Sequence, residues 1–148
     1  MDAAASAHLR WGAYLHDIGK MAIPDHILLK PGGLTPQEYA LVRTHVTRGE
    51  EMLRQVSFLP TPVRQVVRHH HEHWNGHGYP DRLRGENIPL LARIFAVTDV
   101  YDALVSKRPY KKSWTPEAAR GELLKQRGEQ FDPAVVDAFL KLEALTMW

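Results

Sequence analysis

Apolar positions along this 148-residue chain recur at three- and four-residue spacing, and no stretch shows the period-two alternation of a half-buried strand. Helix starts are marked repeatedly. Thr35-Pro36-Gln37-Glu38 combines a capping hydroxyl, Pro at the first helical position and a Glu three residues after the cap. Thr61-Pro62, Thr115-Pro116 and Asp132-Pro133 repeat the device of a cap followed by Pro. Pro would remove a ladder donor from a strand, so these starts point to an all-α chain. The pattern predicts six main helices, over about 7–17, 36–56, 62–72, 90–106, 116–127 and 133–145. A short turn or helix is expected at 25–29, a loop at Pro31-Gly32-Gly33, and a longer Gly- and Pro-containing loop over 75–89. With no repeat or linker, the reading is one all-α bundle over 1–148.

Some polar residues interrupt the apolar faces. His16-Asp17 ends the first helix beside apolar neighbours, with Lys20 three residues beyond Asp17. The stripe Leu41, His45, Gly49, Met52, Leu53 and Val56 puts His45 in a core-facing slot, which taken alone reads as a satisfied buried histidine. Gly49, one turn on, leaves room for close approach. In the next helix Val63, Val66 and Val67 define the inner face, and His70 and His71 continue it one turn later. Two neutral imidazoles facing a core need partners. His69 and His73 fit a polar cluster at a helix end, with His69 facing solvent. Asp99 lies on the small-residue face Ala92-Ala96-Asp99-Ala103 of a helix apolar nearly all round, and a carboxylate there must be paired or metal-bound. Asp102 reads as structural.

Composition narrows the chemistry. There is no Cys among 148 residues, which excludes disulfides, thiolate zinc sites and Cys nucleophiles, while nine His leave nitrogen and oxygen as metal donors. A net charge of +2 without a long basic run gives no electrostatic case for a nucleic acid polymer as partner. No apolar run reaches membrane-spanning length and residues 1–6 lack signal-peptide character, so a cytoplasmic location is expected. His16, Asp17, His45, His70, His71 and Asp99 thus come from four predicted helices and all point inward. Such a donor set suits two divalent ions, Fe or Mn first and Zn next, with Asp17 bridging. A pair of ions about 4 Å apart suits in-line displacement at phosphorus, with a bridging hydroxide as nucleophile. Lys20 would balance charge on the phosphate oxygens.

The chain also resembles the HD phosphohydrolase superfamily and, more narrowly, the HD-GYP domains of bacterial signalling proteins. The resemblance is carried by His16-Asp17-Ile18-Gly19-Lys20, Ile23-Pro24-Asp25, Lys30-Pro31-Gly32, His70-His71-Glu72, Gly78-Tyr79-Pro80 and Ile88-Pro89-Leu90. It continues through Ala92-Arg93-Ile94, Asp99-Val100-Tyr101-Asp102-Ala103-Leu104, Arg108-Pro109-Tyr110-Lys111 and Phe131-Asp132-Pro133. It implies an HD-domain helical bundle with a GYP loop between helices, and a metal-dependent phosphodiesterase converting cyclic di-GMP to pGpG and GMP. It implies metal ligation by His16, Asp17, His45, His70, His71 and Asp99, catalytic roles for Asp17 and Lys20, and substrate contacts from Lys20, Tyr79, Arg108 and Lys111. Tyr79 offers a ring for a base, and Arg108 and Lys111 suit phosphate. From the residues alone, a loop aromatic packed on the core and two solvated cations are the preferred readings.

Where the family usually has Asp-Gly the chain has Asn75-Gly76, His77 stands at a small polar position, and Arg82 replaces a common Gly. The resemblance also implies an earlier helix carrying another His ligand; the chain begins about one helix later, and His8 shares its helix with His16. The domain is therefore expected to be N-terminally incomplete relative to the family. Two other readings follow: an impaired module acting through protein contacts, or a phosphohydrolase of another nucleotide. A homodimer, a diguanylate cyclase or a sensor-domain protein is the corresponding partner.

Overall fold

Most of the predicted helix starts form as the sequence implies. Thr35 accepts from the Glu38 amide at 3.2 Å while the Glu38 carboxylate accepts from the Thr35 amide at 2.7 Å, a complete capping box. Thr115 accepts from the Ala118 amide at 3.2 Å, and Asp132 from the Ala134 amide at 2.8 Å. Thr61 differs: it lies inside its helix, Pro60 takes the cap position, and the Thr61 hydroxyl receives the Arg64 guanidinium instead.

The computed structural model describes residues 1–107 and 112–146, with side chains as far as Glu143. Its helices are α1 (Ala3–Leu15), α2 (Asp25–Leu28), α3 (Pro36–Arg43), α4 (His45–Arg54), α5 (Thr61–His69), α6 (Leu90–Val105), α7 (Pro116–Lys125) and α8 (Pro133–Thr146). Two 3₁₀ turns, Ile18–Ala22 and Gly85–Asn87, complete the order, and no strand occurs among the described residues. The all-α bundle with its Gly-Tyr-Pro loop between α5 and α6 is therefore present.

Several element boundaries depart from expectation. The single helix over 36–56 is broken at Thr44, whose hydroxyl donates to the Leu41 carbonyl at 2.7 Å and whose amide bonds the same carbonyl at 3.0 Å. Such local bonding competes with the helical ladder, so α3 ends at Arg43 and α4 starts at His45. Met52 turns outward, 40% exposed, and Val46 and Glu50 take inner positions instead. Likewise α1 ends at Leu15 and α5 at His69, so His16, Asp17, His70 and His71 occupy the turns just after helices. α1 begins earlier than periodicity implies, because Asp2 caps the Ala5 amide at 2.7 Å.

Helix α5 is the hub, packing against α1, α4 and α6. Leu53, Leu59, Val63 and Val67 form one buried cluster with Leu15, Ile18 and Val56 packed on it. A second joins Ala96, Val97, Leu123, Phe131 and Val136 beneath α7 and α8. Between them the helix ends converge. The closest approach is at Gly19, where an added Cβ would stand 1.9 Å from the His45 carbonyl oxygen and 2.6 Å from the Gly49 amide. The 3₁₀ turn after α1 thus lies flush on the first turn of α4, which brings Asp17 to His45.

Gly19→Ala is expected to destabilise the fold by about 3 kcal/mol or more, because both obstructing groups are backbone. Gly33→Ala, in open space, should stay within about 0.5 kcal/mol. Chemical denaturation of both variants checks the pair; a mild Gly19→Ala would show that the turn can move off α4.

Candidate metal centre

Three imidazoles share one device. The Nδ1 of His16 lies 2.6 Å from the Ala13 carbonyl, that of His45 lies 2.8 Å from Val42, and that of His70 lies 2.9 Å from Val67. A carbonyl can only accept, so each Nδ1 is the protonated donor; neutral His45 and His70 keep their lone pairs on Nε2, whereas the His16 Nε2 faces the Asp17 carboxylate and bonds it. Both His45 and His70 are almost wholly buried, and their Nε2 atoms have no hydrogen-bond partner. A buried nitrogen lone pair without a donor is costly, and a cation satisfies it.

The rings converge. One ring nitrogen from each of His45, His70 and His71 can be chosen so that the three lie within 4.8 Å of one another. His70 and His71 have centroids 4.1 Å apart, and His45 lies 5.2 Å from His71 and 5.5 Å from His70. His16 meets His70 edge-on at 5.2 Å, and Phe95 of α6 closes the back of the cluster at 4.9 Å from His16. Asp17 joins from the rim: one carboxylate oxygen is 3.5 Å from His45 Nε2, and the other is 3.3 Å from His16 Nε2 and 2.6 Å from Lys20 Nζ. The charge of Asp99 acts on His16 from α6. Among the described residues His45, His70 and His71 lie within ligand distance of one another, His16 and Asp17 adjoin them with Asp17 and Lys20 toward solvent, and Asp99 acts on the group through its charge on His16.

Their protonation fits this arrangement. Burial pulls His45 below its ordinary value. Burial, with the positive fields of neighbouring imidazoles, takes His70 down to about 4 and His71 to about 2. Burial of Asp17 opposes its charge, but hydrogen bonds from His16 and Lys20 outweigh it and hold the carboxyl well below the usual carboxylate range. His16 is raised: its burial is outweighed by bonds to Asp17 and Ala13 and by the Asp17 and Asp99 charges. Neutral His45, His70 and His71 beside an ionised Asp17 are in the ligand states that divalent ions require.

The loop between α5 and α6 forms the near wall. Tyr79 stacks on His71 with centroids 4.9 Å apart, and the Arg43 guanidinium stands 4.1 Å from the same ring's centroid. Buried Glu72, next to His71 in the chain, accepts from the Asp81 amide at 2.7 Å and the Leu83 amide at 3.1 Å, fixing the loop's path. The other end is tied to the segment before α8 by Trp74 and Asn75, whose amides bond the Gln130 and Glu129 carbonyls. His69 is not the solvent-facing residue expected: its side chain is only 12% exposed and bonds Asp81 at 2.9 Å, because Arg68 and His69 converge on that carboxylate. Asp102 caps locally, accepting from Ser106. Arg108 and Lys111 lie outside the described residues.

Arg43, Phe95 and Glu72 are the neighbours that patterning alone did not single out. Arg43 sits two residues before His45, Phe95 is one apolar residue in an apolar helix, and Glu72 is a single charge after two histidines.

A model of the HD domain family matches residues 1–135. This chain belongs to the HD domain family. Within it the chain falls in the HD-GYP group, as its sequence blocks implied. A cyclic di-GMP phosphodiesterase of Pseudomonas aeruginosa is 54% identical to this HD domain over 130 residues, covering 86% of the chain and 30% of that protein. A 3'3'-cGAMP-specific phosphodiesterase of Vibrio cholerae is 48% identical over 128 residues, covering 86% of the chain and 24% of that protein. The solved structure of an HDG"Y"P protein from Bdellovibrio bacteriovorus superposes with a TM-score of 0.71 at 22% identity, covering 95% of this chain and 45% of that one. The chain thus spans well under half the length of the curated relatives it matches. The family is metal-dependent, and the histidine cluster of this HD domain fits a metal ion. Among the described residues no helix is long and apolar enough to cross a membrane.

The lowered histidines predict a pH response of the metal-depleted chain. Between about 4 and the ordinary 6.5 of His70, the unfolded chain holds a proton that the folded chain does not, so stability rises with pH there. His45 and His71 act in the same sense, and His16, which is raised, acts in the opposite one. The urea midpoint should fall from about pH 7 to about pH 5, and His70→Gln should flatten that slope. A midpoint that climbs on acidification would contradict the buried neutral cluster.

Proposed function

We propose that this HD domain is a metal-dependent phosphodiesterase that hydrolyses cyclic di-GMP to linear pGpG and then to GMP. The observation carrying this is the convergence of the buried, donor-free His45 and His70 Nε2 atoms on a site whose rim holds an ionised Asp17 paired with Lys20. The names of the relatives support it. The proposed ligands are His16, Asp17, His45, His70, His71 and Asp99. Six nitrogen and oxygen donors exceed what tetrahedral zinc uses, which favours a pair of Mn or Fe ions. Bound there, the metal supplies Lewis acidity toward phosphate oxygens and lowers the pKa of water.

The chain's own groups divide the remaining work. The His16, His45 and His70 rings are held in one tautomer before any ligand arrives, because their Nδ1 protons are committed to carbonyls three residues back. Asp17 stays anionic through Lys20 and His16, so it needs no deprotonation at neutral pH. Its partner Lys20 is 43% exposed, free to swing its ammonium to a phosphate oxygen as negative charge develops. Phe95 shuts water out behind His16 and His70. Tyr79 lines the approach beside His71, and Arg108 and Lys111 are proposed as further contacts to the dinucleotide.

The Mn- or Fe-loaded chain should convert cyclic di-GMP to pGpG and GMP, followed by chromatography. Asp17→Asn should lower kcat at least about 100-fold, and Lys20→Ala about 100-fold with a smaller change in KM. Cyclic di-GMP left intact beside an active relative would overturn the assignment and favour a module acting through protein contacts. Faster turnover of cyclic GMP-AMP would reassign the substrate.

A further inference from the structure

A cavity of about 330 Å³ opens beside the loop wall, lined by Arg43, Gly76, His77, Gly78 and Arg82. Its side chains are two guanidiniums and an imidazole, with no acid among the lining residues. Arg43 also lines a cavity of about 230 Å³ with Tyr79 and Thr47, so this one residue is shared by the two. That guanidinium is braced on the Tyr79 ring at 4.1 Å, and Tyr79 is in turn stacked on His71. A cationic, acid-free recess therefore lies one aromatic ring beyond the metal-site histidines. Guanidinium is the side chain best matched to phosphate, and bracing on a ring removes conformational freedom that binding would otherwise have to remove.

We infer that the Arg43–His77–Arg82 recess seats the second, unreacted phosphodiester of a cyclic dinucleotide while the first is at the histidine cluster. The inference rests on the proposed function and adds to it a specificity element: a substrate with two phosphates is held at both, whereas a lone phosphodiester engages only the cluster. A base is the weaker occupant, since the Tyr79 ring already carries His71 and Arg43, and the recess offers charge rather than an aromatic face.

Binding of cyclic di-GMP to metal-depleted protein, measured by calorimetry, separates this from turnover. Arg43→Met keeps the apolar stem on Tyr79 and removes the charge. It should weaken binding at least about tenfold and lessen the salt dependence. Exposed Arg82→Asn, which tolerates the positive φ of 54° at that position, should weaken binding about threefold or more without disturbing the fold. Hydrolysis of bis(p-nitrophenyl) phosphate by the Mn-loaded variants should stay within about twofold of wild type. Unchanged affinity in both variants, or equal losses on both substrates, overturns the inference. Tight, Arg43-dependent binding without hydrolysis would sink the proposed function alone. Hydrolysis with affinity indifferent to Arg43, or with no binding by the metal-depleted wild-type chain, would sink this inference alone, and neither binding nor hydrolysis by the wild-type chain would sink both.

Discussion

An imidazole buried in a protein can satisfy only one nitrogen with a nearby carbonyl; the other must be met from elsewhere. In this HD domain three rings spend Nδ1 on carbonyls three residues earlier, and two are left with buried Nε2 atoms that no protein hydrogen bond satisfies. The same constraint explains why His16 and His70 follow helices and His45 begins one. A side chain reaching the carbonyl three positions back needs helical or near-helical turns there, yet its own Nε2 must clear the helix. Ends of helices meet both conditions, and interiors bury the ring against the neighbouring turn. The architecture is accordingly helix termini brought to one point, with α5 as the shared support.

Glycine makes that convergence feasible. Gly12 on α1 faces Val66 of α5, and Gly19 faces the backbone of α4, each nearer than a methyl group would allow. Gly49, flagged in the sequence as a place for close approach, meets both Gly19 and Val67. Without these contacts the turn carrying Asp17 would stand away from His45, and the carboxylate would lose its place between two imidazoles.

The helices and the clustered histidines were largely legible, and the reasons differ. Thr-Pro and Asp-Pro pairs are local chemistry, so helix starts could be read directly, apart from Thr61. His70 and His71 betrayed themselves by replacing valines on an apolar stripe. Thr44 did not, because a hydroxyl that bonds its own backbone looks the same in sequence as one that faces solvent, and the break between α3 and α4 was hidden. His69 was misread since its partner Asp81 lies across the loop, beyond any periodicity. Arg43 escaped for the same reason: its meaning depends on Tyr79, thirty-six positions further along.

Glu72 has a consequence of a different sort. Its carboxylate holds the amides of Asp81 and Leu83, while the residue before it is a ring of the histidine cluster. The loop's path and that cluster are therefore geared to one another, like two parts pinned to a common axle. A lineage seeking a new substrate cannot reroute this loop without disturbing the histidines. What remains free to drift is the choice of side chains along a fixed track, and divergence in substrate taste should be written there.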